Sequence, residues 1–419
     1  MGAYVESNTN GRRKRVPLTE AMEEAFPEHT PVLSLIGKKT NCKTTSPDSN
    51  SSKVEWGFKS FAAGEVRGVH DAEDFDADTE AEDNEAYKTQ IENRIMLTRA
   101  GVQTGRIANS VVMQHGVKTE IHLDHKMDCL RRYKHSTEKW LVSECDSRAE
   151  TSSPKAPYMS RAFASFHRVG AHSDLPIPTL ARPAAGQCVN IDAASDVTID
   201  TLVGMLQAQW ETRLTPGNWH LFGNSAFQKA VDNMLEFGPT ANSKTPIRRV
   251  NQDSSNREIE IRVKSLDNTF GHIDFSLHAA LPKEVTLTGC VTTNTSTTVT
   301  VSSNAKLYPG MPVVGTGIAA GTRIAAVPSK KTSSTTIVLD TAATASGTVS
   351  LAFGEEVFAE MWDFEHTQLG YIDEVAWEDL ENKGGGPRGY TDALQFFAYL
   401  NPQSGGVIRK TQSGFNGAS

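Results

Sequence analysis

The densest set of ligand-bearing side chains lies between Asp71 and Glu85, where nine of fifteen residues are carboxylates. Asp74, Asp76, Asp78, Glu80, Glu82 and Glu85 fall at positions 1, 3, 5, 7, 9 and 12 of a calcium-loop template. The sixth position is Thr79, where that loop needs Gly for its sharp turn, and no helical pair flanks the run. It therefore reads as an exposed, mutually repelling loop. His122 and His125, with Glu120, are spaced i, i+3 without the HExxH order of a zinc helix and read as surface histidines. Cys42, Cys129, Cys145, Cys188 and Cys290 are far apart with no CxxC spacing, so reduced structural thiols are expected. The basic run Arg12-Arg13-Lys14-Arg15 fits either a contact with nucleic acid or an acidic partner, or a solvated cluster on a flexible tail.

Catalytic patterns are otherwise missing. The sequence has no GxSxG elbow, no GxxxxGK[ST] phosphate loop, no GxGxxG after a strand and no HExxH. The glycines from Gly310 to Gly321 lack the following helix and Lys of a phosphate cradle, and Gly384 to Gly386 open no helix. No spacing nominates an acid–base pair, so the chain reads as a non-enzyme without cofactor or metal. With 419 residues and 22% charged side chains it is globular and long enough for two to three domains. No window holds the roughly 18 uninterrupted apolar residues of a membrane span, and Met1 to Asn10 is polar, which predicts a soluble, unexported protein. The net charge is −8, but Thr286 to Phe353 carries four basic residues and one acidic, leaving about −11 on the rest. A body that acidic argues against gripping nucleic acid over its whole surface.

The elements that must position these residues follow from periodicity. Leu18 to Phe26 has apolar spacing that permits a short helix, and Thr30 to Gly37 is a short apolar segment able to anchor the preceding arm. Val54 to Phe61 and Tyr87 to Thr98 alternate as strands, so Val54 to Gln103 reads as one long two-stranded excursion with the acidic run at its tip. Val117 to Cys145 is the strongest helix. Leu123, Met127, Leu130, Tyr133, Thr137, Trp140 and Leu141 form its apolar stripe, against Asp124, Asp128, Arg131, Arg132, His135 and Glu138. At 1.5 Å per residue it would span roughly 43 Å, a strut rather than an ordinary packing helix. Ser147 to Gln187 is rich in loops and Pro. Thr198 caps a helix to Arg213 with Ile199, Leu202, Val203, Leu206 and Trp210 on one face. Trp219 to Phe222 is a short buried strand, and Ser225 caps a helix to about Leu235.

A broken sheet organises the remainder. Asn256 to Leu281 reads as a hairpin, with Ile259, Ile261 and Val263 alternating before Asp267 to Gly271, and Ile273, Phe275 and Leu277 after it. The next alternating strand comes only at Val357, Ala359 and Met361. Between them lie about six short Thr-rich β runs separated by turn signals, the pattern of a small all-β sandwich or barrel. Val357 to Ile372 then completes the interrupted sheet, and Leu394 to Leu400 is a last buried strand before a polar tail. The order is α+β.

This order resembles that of tailed-phage major capsid proteins with the HK97-type shell fold. The likeness is to the branch opening on a TPxLSxIGK-like segment, here Thr30-Pro31-Val32-Leu33-Ser34-Leu35-Ile36-Gly37-Lys38. A Trp-bearing strand (Glu55-Trp56) entering an extended loop and a Gly-containing lead (Gly105 to Glu120) into a long helix are similar. So are Trp210 with Pro216-Gly217 and Asn224 to Lys229, and Phe270-Gly271-His272-Ile273 followed by Leu281-Pro282. The resemblance covers about Thr30 to Leu281 and Glu356 to Lys410; the family normally runs from that Pro directly into the next strand, whereas here about 70 residues intervene.

The resemblance implies an HK97-like fold with an N-terminal arm (1–30) and a peripheral part (31–190) containing the extended loop (54–103) and spine helix (117–145). It also implies an axial domain (191–255), strands shared by the peripheral and axial parts (256–282), an inserted β domain (283–355), and completion of the sheet with a C-terminal tail (356–419). The hairpin is expected in the peripheral sheet. The implied partner is the chain itself, as pentamers and hexamers of an icosahedral shell around double-stranded DNA that is met only by weak non-specific proximity. Scaffold, portal and decoration proteins are further implied partners; a membrane is not. Location would be the virion, after assembly in the host cytoplasm. Trp56, Phe58, Asp74, Asp76, Asp78, Arg131 and Arg132 are the inter-subunit contact candidates, and Arg12, Arg13, Lys14 and Arg15 those of the arm. The insert is expected to project outward, so deleting Lys283 to Gly354 should leave assembly intact. The rival reading is a phage or cell-surface protein whose insert binds a receptor or glycan. For the acidic run, calorimetric titration with calcium is expected to show no stoichiometric micromolar site; finding one would overturn the repelling-loop reading.

Overall fold

The computed structural model describes residues 30–40, 42, 52–60, 87–105, 121–152, 155–168, 174–213, 217–237, 264–327, 335–382 and 384–411. The arm candidates Arg12, Arg13, Lys14 and Arg15, and the loop candidates Asp74, Asp76 and Asp78, lie outside the described residues.

Helix α1 (Pro31–Leu35) starts on a Pro, whose missing N–H is harmless in a first turn. It buries Val32 and Leu33 and leads into β1 (Gly37–Lys39). Strands β2 (Lys53–Lys59) and β3 (Lys88–Arg94) pair antiparallel, as their alternation predicts. The excursion ends there: β4 (Met96–Gln103) turns away and joins another sheet. The long helix is described as α2 (Ile121–Leu141), 21 residues, roughly 32 Å. Its helical bonding stops at Leu141, and residues 142–147 are buried irregular chain rather than helix. The C-terminal half of its stripe is buried at Tyr133, Thr137, Trp140 and Leu141, whereas Leu123 and Met127 stay about half exposed. Glu138, placed by periodicity on the polar side, is 1% exposed.

Short elements follow: β5 (Thr151–Ser152), β6 (Lys155–Ala156) and α3 (Phe163–Phe166). Then come β7 (Cys188–Ile191), α4 (Ile199–Arg213), β8 (Gly217–Gly223) and α5 (Ser225–Phe237). Thr198 does cap α4, its hydroxyl accepting from Thr201 N at 3.1 Å. The buried face of α4 is Leu202, Met205, Leu206 and Gln209, rotated from the predicted one, so Trp210 lies on its exposed edge. The cap of α5 is Asn224, not Ser225: Phe227 N donates to Asn224 Oδ1 at 2.8 Å.

The hairpin is β9 (Ser265–Asn268) with β10 (Gly271–Leu277), closed by a two-residue turn because Asn268 pairs Gly271; Asp267, Asn268 and Gly271, expected in the turn, are in the strands, and Ile259, Ile261 and Val263 lie outside the described residues. Its sheet has the order β7-β20-β17-β8-β10-β9, with β17 (Val357–Trp362) and β20 (Gly406–Lys410). The resumed strand therefore shares the hairpin's sheet, but β8 sits between them, parallel to β10 and antiparallel to β17. The predicted polar tail also holds β20, buried over Gly406 to Arg409, so Leu394 to Leu400 is not the last buried strand. Leu202, Leu206, Trp219, Phe227, Ile273, Phe358 and Ile408 make this unit's core.

The second sheet, β1-β18-β19-β4, is built on the long hairpin of β18 (Thr367–Leu380) and β19 (Arg388–Tyr399), with α2 against β4 and β19. Its core is aromatic: Phe163 stacks on Trp362 with centroids 4.0 Å apart, and Phe166, Phe397 and Tyr399 surround them. Thus the interrupted hairpin belongs to the sheet carrying α4 and α5, not to the one beside the long helix.

The insert forms β11 (Val285–Thr292), β12 (Thr298–Thr300), β13 (Val313–Gly315), β14 (Ile324–Ala326), β15 (Thr336–Leu339) and β16 (Gly347–Phe353), ordered β13-β16-β11-β12-β15-β14. The edge strands meet: Pro312 bridges Arg323, Val313 N donates to Thr322 O at 2.9 Å, and Ile324 N to Met311 O at 2.8 Å. The sheet closes on itself through these contacts, so of sandwich and barrel the insert is a barrel.

Gly271 turns the hairpin at φ 152°, and the space a Cβ would take is already filled by the Trp219 ring and Gly217 O. A Cβ there would overlap both, so Gly271→Ala is expected to lower stability by about 2 kcal/mol or more, read by chemical denaturation. A neutral result would refute the account of this turn.

Candidate functional site

The predicted contact residues divide by burial. Phe58 is 9% exposed and packs in its own chain's aromatic core, and Trp56 donates its indole N–H to Tyr399 O at 2.9 Å. Both serve to lay β2 on the four-stranded sheet, where Val54 also meets Phe396 and Ala398. Within this chain Phe58 is internal, whereas Trp56 is half-buried. Alternation predicts one buried side, but not which body covers it. Arg131 and Arg132 are exposed on α2; Arg132 donates to Gly101 O at 2.9 Å and Arg131 lies 3.7 Å from Asp128.

His122 and His125 each place Nδ1 about 3 Å from the Thr104 hydroxyl (3.1 and 3.0 Å), so the pair is tied to the end of β4. All five cysteines are free. Burial pushes the Cys145 thiol up to about 12 and that of Cys188 to about 11, which keeps both protonated and unreactive. Among the described residues, Asp363, Glu365 and His366 bring ligand atoms within 4.8 Å of one another. Asp363 is already used by the turn between β17 and β18, accepting from Glu365 N at 3.0 Å and lying 2.8 Å from His366 Nδ1.

Sequence reasoning missed a set of buried charges after α2. Glu138 accepts from Val32 N at 2.9 Å and Leu33 N at 2.8 Å, satisfying the first turn of α1. His278 Nε2 lies 2.7 Å from the same carboxylate, while its Nδ1 accepts from Ala280 N. Six residues on, Glu144 accepts from Glu355 N through both oxygens, at 2.9 and 2.7 Å. Glu355 in turn pairs with Arg168 and, at 2.9 Å, with Arg409 of β20. From the barrel, Arg323 donates to Glu144 O at 3.1 Å and Gly310 O at 2.7 Å. Cys145 Sγ reaches Pro309 O and Arg148 reaches Ile324 O.

The barrel is therefore docked on the body as well as tethered to it. Its entering and leaving chains lie side by side, Val357 N donating to Pro282 O at 3.1 Å. Isolated charges in sequence gave no signal for this cluster, because its members are dispersed from Glu138 to Arg409. The only legible hint was a carboxylate, Glu138, next to the apolar stripe.

Burial, then the neighbouring Glu355 charge, pushes Glu144 from 4.5 up to about 8. Burial acts the same way on Glu355, but Arg168, Arg409 and Arg323 outweigh it and hold that carboxylate below its ordinary value. His167, buried and next to Arg409, is lowered to about 3 and stays neutral.

Among the described residues, exposed large apolar side chains include Leu123 and Met127 on α2, Leu97 on β4 and Val375 and Leu380 on β18, each 40–52% exposed, with Leu35, Trp210, Leu277 and Val291 exposed elsewhere. A groove of about 370 Å³ runs between α2 and β18, lined by Leu33, Met127, Leu130, Tyr133, Tyr371 and Val375. Lys38, Arg131 and Lys134 rim it. No helix among the described residues is long and apolar enough to cross a membrane.

A sequence model of the SU10 major capsid protein family matches residues 5–306. Among solved structures, the capsid of cyanophage P-SCSP1u is 10% identical over 94% of this chain and 92% of that one, with a TM-score of 0.46. The capsid of the native GTA particle is 10% identical over 98% and 100%, with a TM-score of 0.49. A chain of Mycobacterium phage Bobi is 11% identical over 98% and 99%, at 0.45. No curated protein sequence matches the chain.

Two pH effects of opposite sign follow from the junction. Glu144 holds its proton more tightly folded than unfolded, so its contribution is full below about pH 4.5 and is lost as pH rises toward about 8. Glu355 contributes above its ordinary value and loses that contribution as pH falls through its lowered one. Glu144→Gln is expected to flatten the decline in unfolding free energy between about pH 5 and 8, measured by urea titrations at each pH; an unchanged slope would contradict the assignment. Arg323→Met is expected to cost about 3 kcal/mol in the same assay.

Proposed function

Since this chain belongs to the SU10 major capsid protein family, matched over residues 5–306, we propose that it is the shell subunit of a tailed bacteriophage, assembling with copies of itself into an icosahedral capsid around double-stranded DNA. The family match is the observation that carries this reading. The exposed apolar side chains of α2 and of β4 and β18 support it, since a lone chain leaves them in water and neighbouring copies would cover them. The net charge of −8 fits a wall along which packaged DNA slides without sticking.

On this proposal the fold is HK97-like. The four-stranded sheet with α2 is the peripheral unit and the six-stranded sheet with α4 and α5 the axial unit. Strands β2 and β3 are the stem of the extended loop that carries Asp74, Asp76 and Asp78 toward a neighbour. Arg131 and Arg132 on α2 are the charges such a loop would meet, a pairing weakened by salt. The barrel projects from the outer face as a built-in decoration. Residues 1–30 are the arm, with scaffold, portal and decoration proteins as further partners in the host cytoplasm.

Electron microscopy of the purified, expressed chain is expected to show shells, or pentamers and hexamers. Discrete monomers or trimers with a glycan-array signal would favour the receptor-binding alternative instead. The adjacent ends of the barrel allow the chain to be closed after deleting Lys283 to Gly354. That variant, which lacks Arg323, is expected to form shells of lower thermal stability; failure to assemble would make the barrel a structural part of the wall.

A further inference from the structure

The barrel is docked on the body through a small polar face. Arg323 donates to Glu144 O at 3.1 Å, Cys145 Sγ to Pro309 O at 3.5 Å and Arg148 to Ile324 O at 3.4 Å. Among the described residues, Tyr308 is the one apolar side chain that packs against both the aromatic core and the barrel's own core. The barrel keeps a separate core of Cys290, Val299, Leu307, Ile337, Leu351 and Phe353, so little apolar area opposes its separation. The carboxyl of Glu144 lies in the crease between the barrel's entering and leaving chains. A Cβ on Gly354, which has φ 76°, would meet Met311 Cε at 2.6 Å, Glu144 Oε1 at 2.8 Å and Lys283 O at 3.5 Å.

We propose that the proton on Glu144 is a latch: while it is held the barrel stays docked, and its loss frees the docked face, the barrel swinging on its two connecting chains with both folds intact. The donor that this carboxyl has is Glu355 N, at 2.9 and 2.7 Å. The nearby cations are engaged elsewhere. Arg168 and Arg409 pair with Glu355, Arg161 with Asp146, and Arg323 with the carbonyls of Glu144 and Gly310. Of the other titratable groups at the junction, Cys145 and Asp146 follow Glu144 in its own segment, Lys139 lies over the Tyr308 ring, and His167 is next to Arg409. On the barrel side are Tyr308, Asp340, which accepts from Arg323 N, and Glu284, which pairs with Lys410 of β20. An ionised Glu144 would thus be a second buried negative charge beside Glu355, met by the Glu355 N–H. Burial and then that charge push Glu144 up to about 8, which Arg168 and Arg323 oppose without outweighing. With the barrel swung away, the carboxyl regains water and its ordinary acidity. Docking therefore weakens as pH rises from about 4.5 to about 8, by up to roughly tenfold per pH unit. The latch lies within one chain and stands apart from the shell reading.

Hydrogen–deuterium exchange of the full chain, read by mass spectrometry at about pH 6 and about pH 9, tests the latch. Each peptide's rate is divided by that of β12 and β15 in the same sample, which removes base catalysis of the exchange itself. Peptides covering 144–148 and 308–312 are expected to gain roughly tenfold or more in this ratio at the higher pH, and Glu144→Gln to hold it constant. An unchanged ratio in the unsubstituted chain would overturn the proposal, and so would the same gain in Glu144→Gln. Loss of protection in β12 and β15 together with the junction would overturn it too, because the barrel would then be melting rather than swinging. A second readout needs no variant. Cys145, whose Sγ reaches Pro309 O, is expected to react with iodoacetamide at about pH 9 ahead of Cys290 in the barrel core and Cys188 in the body. Cys145 reacting no faster than either would overturn the latch even if Glu144→Gln did not fold.

Discussion

A carboxyl group taken out of water has to be met by hydrogen-bond partners, and the C-terminal end of α2 with the irregular chain that follows it buries two of them. Glu138 and Glu144 are each 1% exposed. Glu138 binds the first turn of α1 and faces His278 at the end of β10, so one side chain joins the segment before β1 to the six-stranded sheet. Glu144 binds the backbone at Glu355, where the chain leaves the barrel for β17. Around this short stretch the two sheets and the barrel are fixed relative to one another. Removing either acid would leave backbone donors unmet in a dry place, which is why the arrangement is specific even where its net contribution to stability is modest.

The topology explains how one junction can hold three bodies. Strand β17 runs from the barrel into the six-stranded sheet, and β18 leaves directly for the four-stranded one. Strand β20 returns from the far end of the chain to pair with β17 and brings Arg409 to Glu355. The barrel's edge strands β13 and β14 meet each other through the Pro312–Arg323 bridge. Among the described residues, five exposed apolar side chains lie on the N-terminal half of α2 and on β4 and β18, with others on α1, α4, β10 and β11.

Much of this was legible in the residues. The hairpin around Gly271, the pairing of β2 with β3, the Thr198 cap and the six short strands of the insert all came from local periodicity and turn chemistry, which depend on neighbours a few residues apart. The segment Thr30 to Gly37 read as an anchor because its apolar residues are contiguous, and it is one. Short-range signals failed where a distant partner decides. Ser225 and Asn224 are both good caps, and the one chosen also donates to Val357 O. Trp56 and Phe58 read as inter-subunit contact candidates, and nothing nearby in sequence shows that Tyr399 and the aromatic core lie beneath them.

By itself, then, the sequence determined the α+β class, the run of six short strands between β10 and β17, the long helix, and the resemblance that the family match bears out. Each rests on composition or on a period of two or 3.6 residues, which the chain carries locally. Tertiary structure alone decided that β8 separates the hairpin from the resumed strand, that β20 is buried, that the insert closes as a barrel, and that Glu138, Glu144 and Glu355 are interior. Those outcomes depend on pairings across tens to hundreds of residues. A charged side chain reads as solvent-facing until the donors that permit its burial have been brought to it.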